Sequence, residues 1–253
     1  MKLVITGATG QLGQHVMQAA ASAGHDTIGI SRSNGIDLMT GAGLVEALQG
    51  TDAVIDVSAT ASTKTQDSID FFTTVTKNLL AAEHEAGVPH HVAISIIGAT
   101  KLNANYHAGK KAQEDLLLAQ PGNWSLLRTT QFHEFVRQVI PVGKIGPFQI
   151  SPAMRSQPIS GIEVAAELIA IAAGSPQGPV PDLAGPREEN MTDLVRRYLT
   201  ATGQKRPVIQ VPVPGAWGRG MRDGSLLPAP GTRLGTQTFD EWLAAVTTTT
   251  SGK

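Results

Sequence analysis

Two residues of the chain have side chains and a spacing that suit proton transfer. Tyr106 and Lys110 stand four residues apart in the segment NANYHAGKK, and the chain has only 2 tyrosines. A spacing of four places both side chains on one face of a helix. A lysine ammonium near a phenol lowers the pKa of that phenol from its usual value of about 10. The pair is either a proton relay or an accident of a helix start, and so short a motif does not decide between them.

A glycine-rich turn near the N-terminus predicts a dinucleotide site. The strand KLVIT precedes the turn TGATGQLG, and an Ala-rich helix follows it. Gly7 permits the tight turn, Gly10 lets the backbone approach a pyrophosphate, and Gly13 allows close helix packing. The free N–H groups at the helix N-terminus suit the anion. The residues of this turn that we expect to contact the cofactor are Gly7, Thr9, Gly10, Gln11, Leu12 and Gly13.

The end of the second predicted strand decides between the two nicotinamide cofactors. A carboxylate there would hold the ribose of NAD, and an arginine would favour the 2′-phosphate of NADP. The chain has Ser31, Arg32 and Ser33 at this place, and the next acid is Asp37, which falls with Leu38 where the adenine should lie. NADP(H) is therefore favoured, with NAD(H) possible. The alternative is that Arg32 is solvated or stacked on the adenine.

Strands and helices alternate through the first half of the chain, which predicts a doubly wound parallel sheet. We expect an α/β fold of the Rossmann type, with a smaller C-terminal α/β substrate lobe. The nearly unbroken apolar run of the third strand indicates a sheet that is buried on both faces. The later predicted strands are 27–31, 52–58, 91–97 and 124–129, and the predicted helices are 44–50, 70–87 and 106–119.

The alternation weakens after Thr130, which suggests a second domain. We predict that residues 1–132 form the dinucleotide-binding domain and that 155–175 return to it. Residues 133–154 and 176–253 would then form the smaller substrate-binding lobe.

Two segments of that lobe look irregular. Residues 211–231 are dense in Gly and Pro but carry Trp217 and Met221, so we expect either a mobile loop with apolar anchors or a surface linker. The C-terminal TTTTSGK is expected to fray.

Composition excludes several classes of function. A hydrophobic fraction of 41%, a charged fraction of 16% and a net charge of -1 are typical of a globular protein and unsuited to nucleic acid or an anionic membrane. Without cysteine the chain has no disulfide and no thiol nucleophile, and its 7 histidines show no metal-binding spacing, so we expect no metal. The first apolar run is too short for a signal peptide or a membrane span, which predicts a cytoplasmic protein.

The glycine turn, Ser95 in AISIIG, and YHAGK occur in an order that resembles the short-chain dehydrogenase/reductases. The run from Ser95 through YHAGKKAQE to LLRTTQFHEF, with the later QPI and AGP segments, is similar to the atypical NmrA-like branch. That branch includes small NAD(P)H-dependent quinone and carbonyl reductases. The resemblance covers essentially the whole chain.

The resemblance implies roles for three residues. Tyr106 would donate a proton to a substrate oxygen as hydride reaches the carbon, and Lys110 would tune the phenol and hold the nicotinamide ribose. Ser95 would stabilise charge on that oxygen, or else serves only as a polar residue at a strand end. Further expected cofactor contacts, besides Tyr106 and Lys110, are Ser58, Ala59, Thr60, Thr129, Thr130, Gln131 and Phe132.

The expected activity is NAD(P)H-dependent reduction of a carbonyl or quinone in a small, aromatic molecule, such as a secondary metabolite. The residues expected to contact this substrate are Phe132, His133, Met154, Trp217 and Met221. The alternatives are a catalytically silent NADP-binding redox sensor, which some members of the branch are, and a sugar-nucleotide epimerase or dehydratase. The sequence does not indicate the oligomeric state.

Overall fold

The structure, a computed structural model, describes residues 1–31 and 35–250 of the chain. It divides into two compact units. The first contains Met1–Arg128 and Ile162–Pro181, and the second contains Thr129–Gly161 and the chain from Asp182 onward. The first unit holds the strand and helix alternation that the sequence predicts.

The elements are numbered along the chain. The strands are β1 (Lys2–Thr6), β2 (Asp26–Ile30), β3 (Ala53–Asp56), β4 (His91–Ile96), β5 (Trp124–Thr129), β6 (Lys144–Ile145), β7 (Phe148–Pro152), β8 (Arg155–Ser156), β9 (Gly178–Pro179), β10 (Leu183–Ala184), β11 (Glu189–Asn190), β12 (Val208–Val211) and β13 (Arg233–Leu234). The helices are α1 (Gln11–Ser22), α2 (Leu44–Leu48), α3 (Thr65–Ala86), α4 (Asn105–Leu118), α5 (Phe135–Gly143), α6 (Gly161–Ala172), α7 (Met191–Ala201), α8 (Gly215–Asp223) and α9 (Phe239–Thr250).

The sheet of the first unit has the order β2-β1-β3-β4-β5, with β9 beside β5. The pairings of β1 with β2, β1 with β3, β3 with β4 and β5 with β9 are parallel. Leu3, Val4 and Ile5 of β1 are fully buried, as expected for a central strand covered on both faces. The chain leaves β1 for β2 on one side and returns to β3 on the other, which creates the switch point where such sheets bind ligands. The predicted Rossmann-type fold is confirmed.

Helices α3 and α4 pack closely because Gly109 has no side chain. A Cβ at Gly109 would lie 2.6 Å from the Phe72 ring and 2.6 Å from the Ser68 carbonyl oxygen. Phe72 therefore lies against the face of α4 that carries Tyr106, with 5.3 Å between the two ring centroids.

The second unit contains a small three-stranded sheet, β12-β7-β6, and a cluster of aromatic residues. The side chain of Trp242 stacks on Tyr198 at 6.3 Å and packs against Phe239 at 5.2 Å. Its Nε1 donates to the Glu134 carboxylate at 3.2 Å. Helix α5 was not predicted, and it contains Pro141.

The prediction of a loop over 211–231 is wrong, because this segment contains helix α8. Met221 and Leu226 are buried and fix the segment to the second unit. The density of Gly and Pro concealed the helix, although Trp217 and Met221 are spaced for one helical face.

The threonines at the C-terminus do not end the last helix, because α9 continues to Thr250. The hydroxyls of Thr247 and Thr248 donate to the carbonyl oxygens of Leu243 and Ala244, each at 2.8 Å. This bonding to the preceding turn satisfies the hydroxyls inside a helix. Among the described residues, no helix has both the length and the apolar character that a membrane span needs.

Candidate cofactor and active site

The glycine turn between β1 and α1 is shaped by two close backbone approaches. Gly7 has a φ of 67°, and a Cβ there would lie 2.9 Å from Ser58 Cα and from Val57 O. At Gly13 a Cβ would overlap the Gly7 carbonyl oxygen and lie 2.8 Å from Ala8 Cα. Gly7 and Gly13 are therefore required by the fold of the turn itself.

Gly10 has a different environment. It is exposed, and an added Cβ would meet only the Gly7 carbonyl oxygen, at 3.1 Å. The N–H of Gln14 donates to Gly10 O at 3.0 Å, so the amides of residues 11–13 precede this first helical hydrogen bond. A pyrophosphate fits this arrangement, because the amides at the N-terminus of α1 offer donors and the missing side chain leaves an approach.

The described part of the predicted adenosine region forms a turn. Arg32 and Ser33 lie outside the described residues, and Ser31 is half-buried. Asp37 Oδ1 accepts the Met39 N–H at 2.9 Å, and Leu38 O accepts from the Asn78 amide at 2.8 Å.

A carboxylate that we did not predict lies at the end of β3. Asp56 is fully buried, and its Oδ1 accepts from the Thr6 hydroxyl at 2.6 Å and from the Ser58 N–H at 3.0 Å. Its Oδ2 accepts from the Gln113 amide at 2.9 Å. The sequence did contain a sign of this buried site. Asp56 interrupts the apolar run DAVIDVS, and a carboxylate inside a buried strand needs polar partners.

Lys110 is directed into the first unit and is only 2% exposed. Its Nζ donates to Ile94 O at 2.8 Å and to Gln113 Oε1 at 2.9 Å, and it lies 4.2 Å from the Phe72 ring centroid. Burial lowers the pKa of Lys110 to about 8, although the charges of Asp56 and Glu114 raise it.

Tyr106 is half-buried in the first turn of α4, and its ring centroid is 5.9 Å from Lys110 Nζ. Burial and the Asp56 charge raise the pKa of this phenol. Lys110 is not among the groups that shift this pKa, because its ammonium is held toward Ile94 and Gln113 by its own hydrogen bonds. That Lys110 lowers the phenol pKa stays a prediction.

Helix α4 begins in a left-handed conformation. Asn105 has a φ of 52°, which asparagine tolerates better than most residues. Its N–H donates to the Thr65 hydroxyl at 2.9 Å. Further along the helix, Glu114 binds the Arg128 guanidinium of β5 through two oxygens at 2.7 to 3.0 Å. These contacts set where Tyr106 and Lys110 lie.

Ser95 follows the carbonyl that Lys110 contacts, but its side chain is fully buried. Among the described residues, its hydroxyl has no hydrogen-bond partner. Ser58 is also buried, whereas Thr60 is half-buried and Ala59 is exposed.

Some predicted site residues of the second unit are buried or hydrogen-bonded within the protein, and others are partly exposed. Thr129 and Thr130 are buried, and Thr130 Oγ1 accepts the Gly185 N–H at 3.2 Å. Gln131 Oε1 accepts from the Ser156 hydroxyl at 3.2 Å. Phe132 and Trp217 are half-buried and thus partly open to a ligand.

Three predicted substrate residues lie in the core of this unit. His133, Met154 and Met221 are at most 3% exposed. His133 packs against Phe239 and Trp242, each at 5.8 Å, and its Nε2 is 3.0 Å from Gln237 O. Packing covers these three side chains in this structure, and their contact with substrate stays a prediction.

Comparison with known proteins identifies the family. A model of the NAD(P)H-binding family matches residues 7–173, and the chain belongs to that family. The curated proteins contain no match to this chain.

Solved structures share the fold at low sequence identity. A short-chain dehydrogenase/reductase superfamily protein from Agrobacterium tumefaciens with bound NAD is 18% identical, with a TM-score of 0.72 over 100% of this chain and 98% of that one. UDP-N-acetylglucosamine 4-epimerase from Bacillus cereus is 18% identical, with a TM-score of 0.72 over 100% and 97%. The dTDP-4-dehydrorhamnose reductase from Bacillus anthracis in complex with NADP is 16% identical, with a TM-score of 0.66 over 83% and 84%.

The family match and the fold confirm the two coarser parts of the prediction. The chain is an NAD(P)H-binding protein with a Rossmann-type fold. Its cofactor is a nicotinamide dinucleotide.

Proposed function

We propose that the protein reduces a carbonyl or quinone group of a small, aromatic molecule with NAD(P)H, and that Tyr106 donates the proton. The observation that supports this most is a continuous path of hydrogen bonds. It runs from Lys110 through Gln113 and Asp56 to Thr6, the residue before Gly7. Lys110, which shares the first two turns of α4 with Tyr106, is thereby joined to the strand that leads into the cofactor turn.

The cofactor supplies the hydride in this reaction. The phenol of Tyr106 carries its proton at neutral pH, because a tyrosine ordinarily has a pKa of about 10 and burial raises that of Tyr106 further. It can therefore donate that proton to the substrate oxygen, and a positioned acid accelerates such a step by about 10²- to 10⁴-fold. Lys110 supplies a fixed positive charge near this proton transfer.

Ser95 is a weaker member of the proposed site. Its unpartnered hydroxyl is the kind of group that a substrate oxygen can satisfy, which favours a role in stabilising charge. Its burial means that such a contact requires its surroundings to move.

We assign substrate recognition to the second unit. Phe132 and Trp217 are the aromatic candidates, because they are only half-buried and an aromatic ring suits a planar molecule. The indole Nε1 of Trp217 is buried without a partner among the described residues, so it also has a donor to offer.

The choice between cofactors can be tested at Arg32. If this guanidinium binds a 2′-phosphate, Arg32→Ala should weaken NADPH binding by about 1.5 to 3 kcal/mol, the scale of a charge-assisted hydrogen bond. NADH binding should be nearly unchanged, because NADH lacks that phosphate. Fluorescence titration of both cofactors measures the difference, and equal losses would refute the phosphate contact.

Turnover tests the proposed activity. The purified protein should oxidise NADPH with at least one member of a panel of aromatic quinones, ketones and aldehydes, and the reduced product should be detectable by mass spectrometry. Nucleotide sugars form a second arm, read by thermal shift. Tight NADPH binding with no turnover on any of these compounds would favour the silent redox sensor instead.

A further inference from the structure

Three buried side chains of the first unit form a polar chain that the family match does not assign. Lys110 Nζ donates to Gln113 Oε1 at 2.9 Å, and Gln113 Nε2 donates to Asp56 Oδ2 at 2.9 Å. Lys110 is 2% exposed, and the other two residues are fully buried. Water does not reach these three groups, so each depends on its protein partners for hydrogen bonds.

The middle position needs an amide. An ammonium only donates hydrogen bonds and a carboxylate only accepts them, so the group between them must accept on one side and donate on the other. Gln113 does both, with its oxygen toward Lys110 and its nitrogen toward Asp56. An aliphatic side chain of similar size would leave both neighbours short of a partner.

Of the two carboxylates near Lys110, the one on β3, Asp56, is the one whose negative charge no cation offsets among the contacts described below. The carboxylates that act on Lys110 are those of Asp56 and Glu114. Glu114 is bound by the Arg128 guanidinium, which offsets its charge. The partners of Asp56 are neutral groups of Thr6, Ser58 and Gln113. On the remaining sides, Lys110 meets the carbonyl of Ile94, the Phe72 ring and, on its own helix, Tyr106.

We propose that Gln113 and Asp56 are positioning residues that fix Lys110 against β4 and keep it positively charged. This inference rests on the proposed function, in which Lys110 supports proton transfer from Tyr106. An ammonium has three N–H donors. Two of them are used by Ile94 O and Gln113, which leaves one for a bound ligand. The direction of that donor is therefore set by Gln113 rather than by the ligand.

The inference is tested by the titration of Lys110 in the complete protein, followed by NMR of ¹³C-labelled lysine. Lys110→Met identifies its signal among the 9 lysines. In the wild type the signal should titrate with a pKa of about 8, well below that of a surface lysine. Asp56→Asn removes a negative charge, so it should lower the Lys110 pKa further, by about one pH unit or more.

A second variant should move the titration the other way. Gln113→Glu keeps the shape of the side chain and places one carboxylate oxygen against the ammonium and the other against Asp56. We expect these two carboxylates to lose any shared proton below the pH at which Lys110 titrates, so the added negative charge should raise the Lys110 pKa. Glu134→Gln is the control, because it neutralises a buried carboxylate of the second unit that accepts a hydrogen bond from Trp242. This control should leave the Lys110 titration unchanged.

A lower Lys110 pKa in Asp56→Asn and a higher one in Gln113→Glu would support the inference, because loss of packing alone does not shift the pKa in opposite directions. Ordinary titration of Lys110 in the wild type, or shifts of one sign in both variants, would overturn it. If Asp56→Asn does not fold, the wild-type titration and Gln113→Glu still decide.

The pH dependence of kcat/KM separates this inference from the proposed function. If turnover needs the ammonium, activity falls as pH rises through the Lys110 pKa. The alkaline limb should then move to lower pH in Asp56→Asn and to higher pH in Gln113→Glu. NMR shifts with an unmoved pH profile would support the positioning network and refute the role of Lys110 in turnover.

Discussion

Tyr106→Phe should lower kcat for a simple ketone or aldehyde by about 10²- to 10⁴-fold, the usual contribution of a positioned general acid. The change removes one hydroxyl, and the phenylalanine ring can keep the edge-on packing against Phe72. The fold and NADPH affinity should therefore survive while the proton step does not. Steady-state kinetics with NADPH, together with a cofactor titration, measure both quantities.

The other tyrosine provides a matched control. Tyr198 stacks on Trp242 in the second unit, and Tyr198→Phe should leave kcat close to the wild-type value. Quinones are a poorer test than ketones, because an acidic hydroquinone product needs less help from a proton donor. Near wild-type turnover of Tyr106→Phe on ketones, aldehydes and quinones alike would show that Tyr106 and Lys110 merely share a helix face.

Gly10→Val should abolish cofactor binding while leaving the protein folded. A Cβ at Gly10 would meet only the Gly7 carbonyl oxygen, at 3.1 Å, so the turn can accommodate it with a small shift. The valine methyl groups would instead occupy the approach to the amides at the start of α1, where we propose that the pyrophosphate binds. Circular dichroism tests the fold, and NADPH fluorescence titration tests the binding.

Two other glycines provide controls for Gly10→Val. At Gly122 an added Cβ would have no neighbour within 4 Å, so Gly122→Val should change neither the fold nor binding. At Gly13 the Cβ would overlap the Gly7 carbonyl oxygen, so Gly13→Val should destabilise the turn itself. Tight NADPH binding by a folded Gly10→Val protein would refute the placement of the pyrophosphate.

Local sequence patterns were sufficient for the fold of the first unit. The apolar strands at 2–6 and 52–58 and the glycine turn between strand and helix each carry their signal within a few residues. Their alternation predicts a parallel sheet, because parallel neighbours need a crossover connection. The second unit was predicted less well, since the residues that bury α8 are distant in the sequence and its glycines suggest a loop.

The sequence by itself determined the Rossmann-type fold of the first unit, the glycine turn between β1 and α1, and the position of Tyr106 and Lys110 on one helix. Only the tertiary structure decided the environment of that pair. Asp56 and Gln113 are 57 residues apart and meet only because β3 and α4 pack together. Burial then governs the chemistry: it raises the pKa of Tyr106 and lowers that of Lys110. The spacing of four specified which side chains are neighbours, but desolvation and distant partners set their charges, and neither can be read from local spacing.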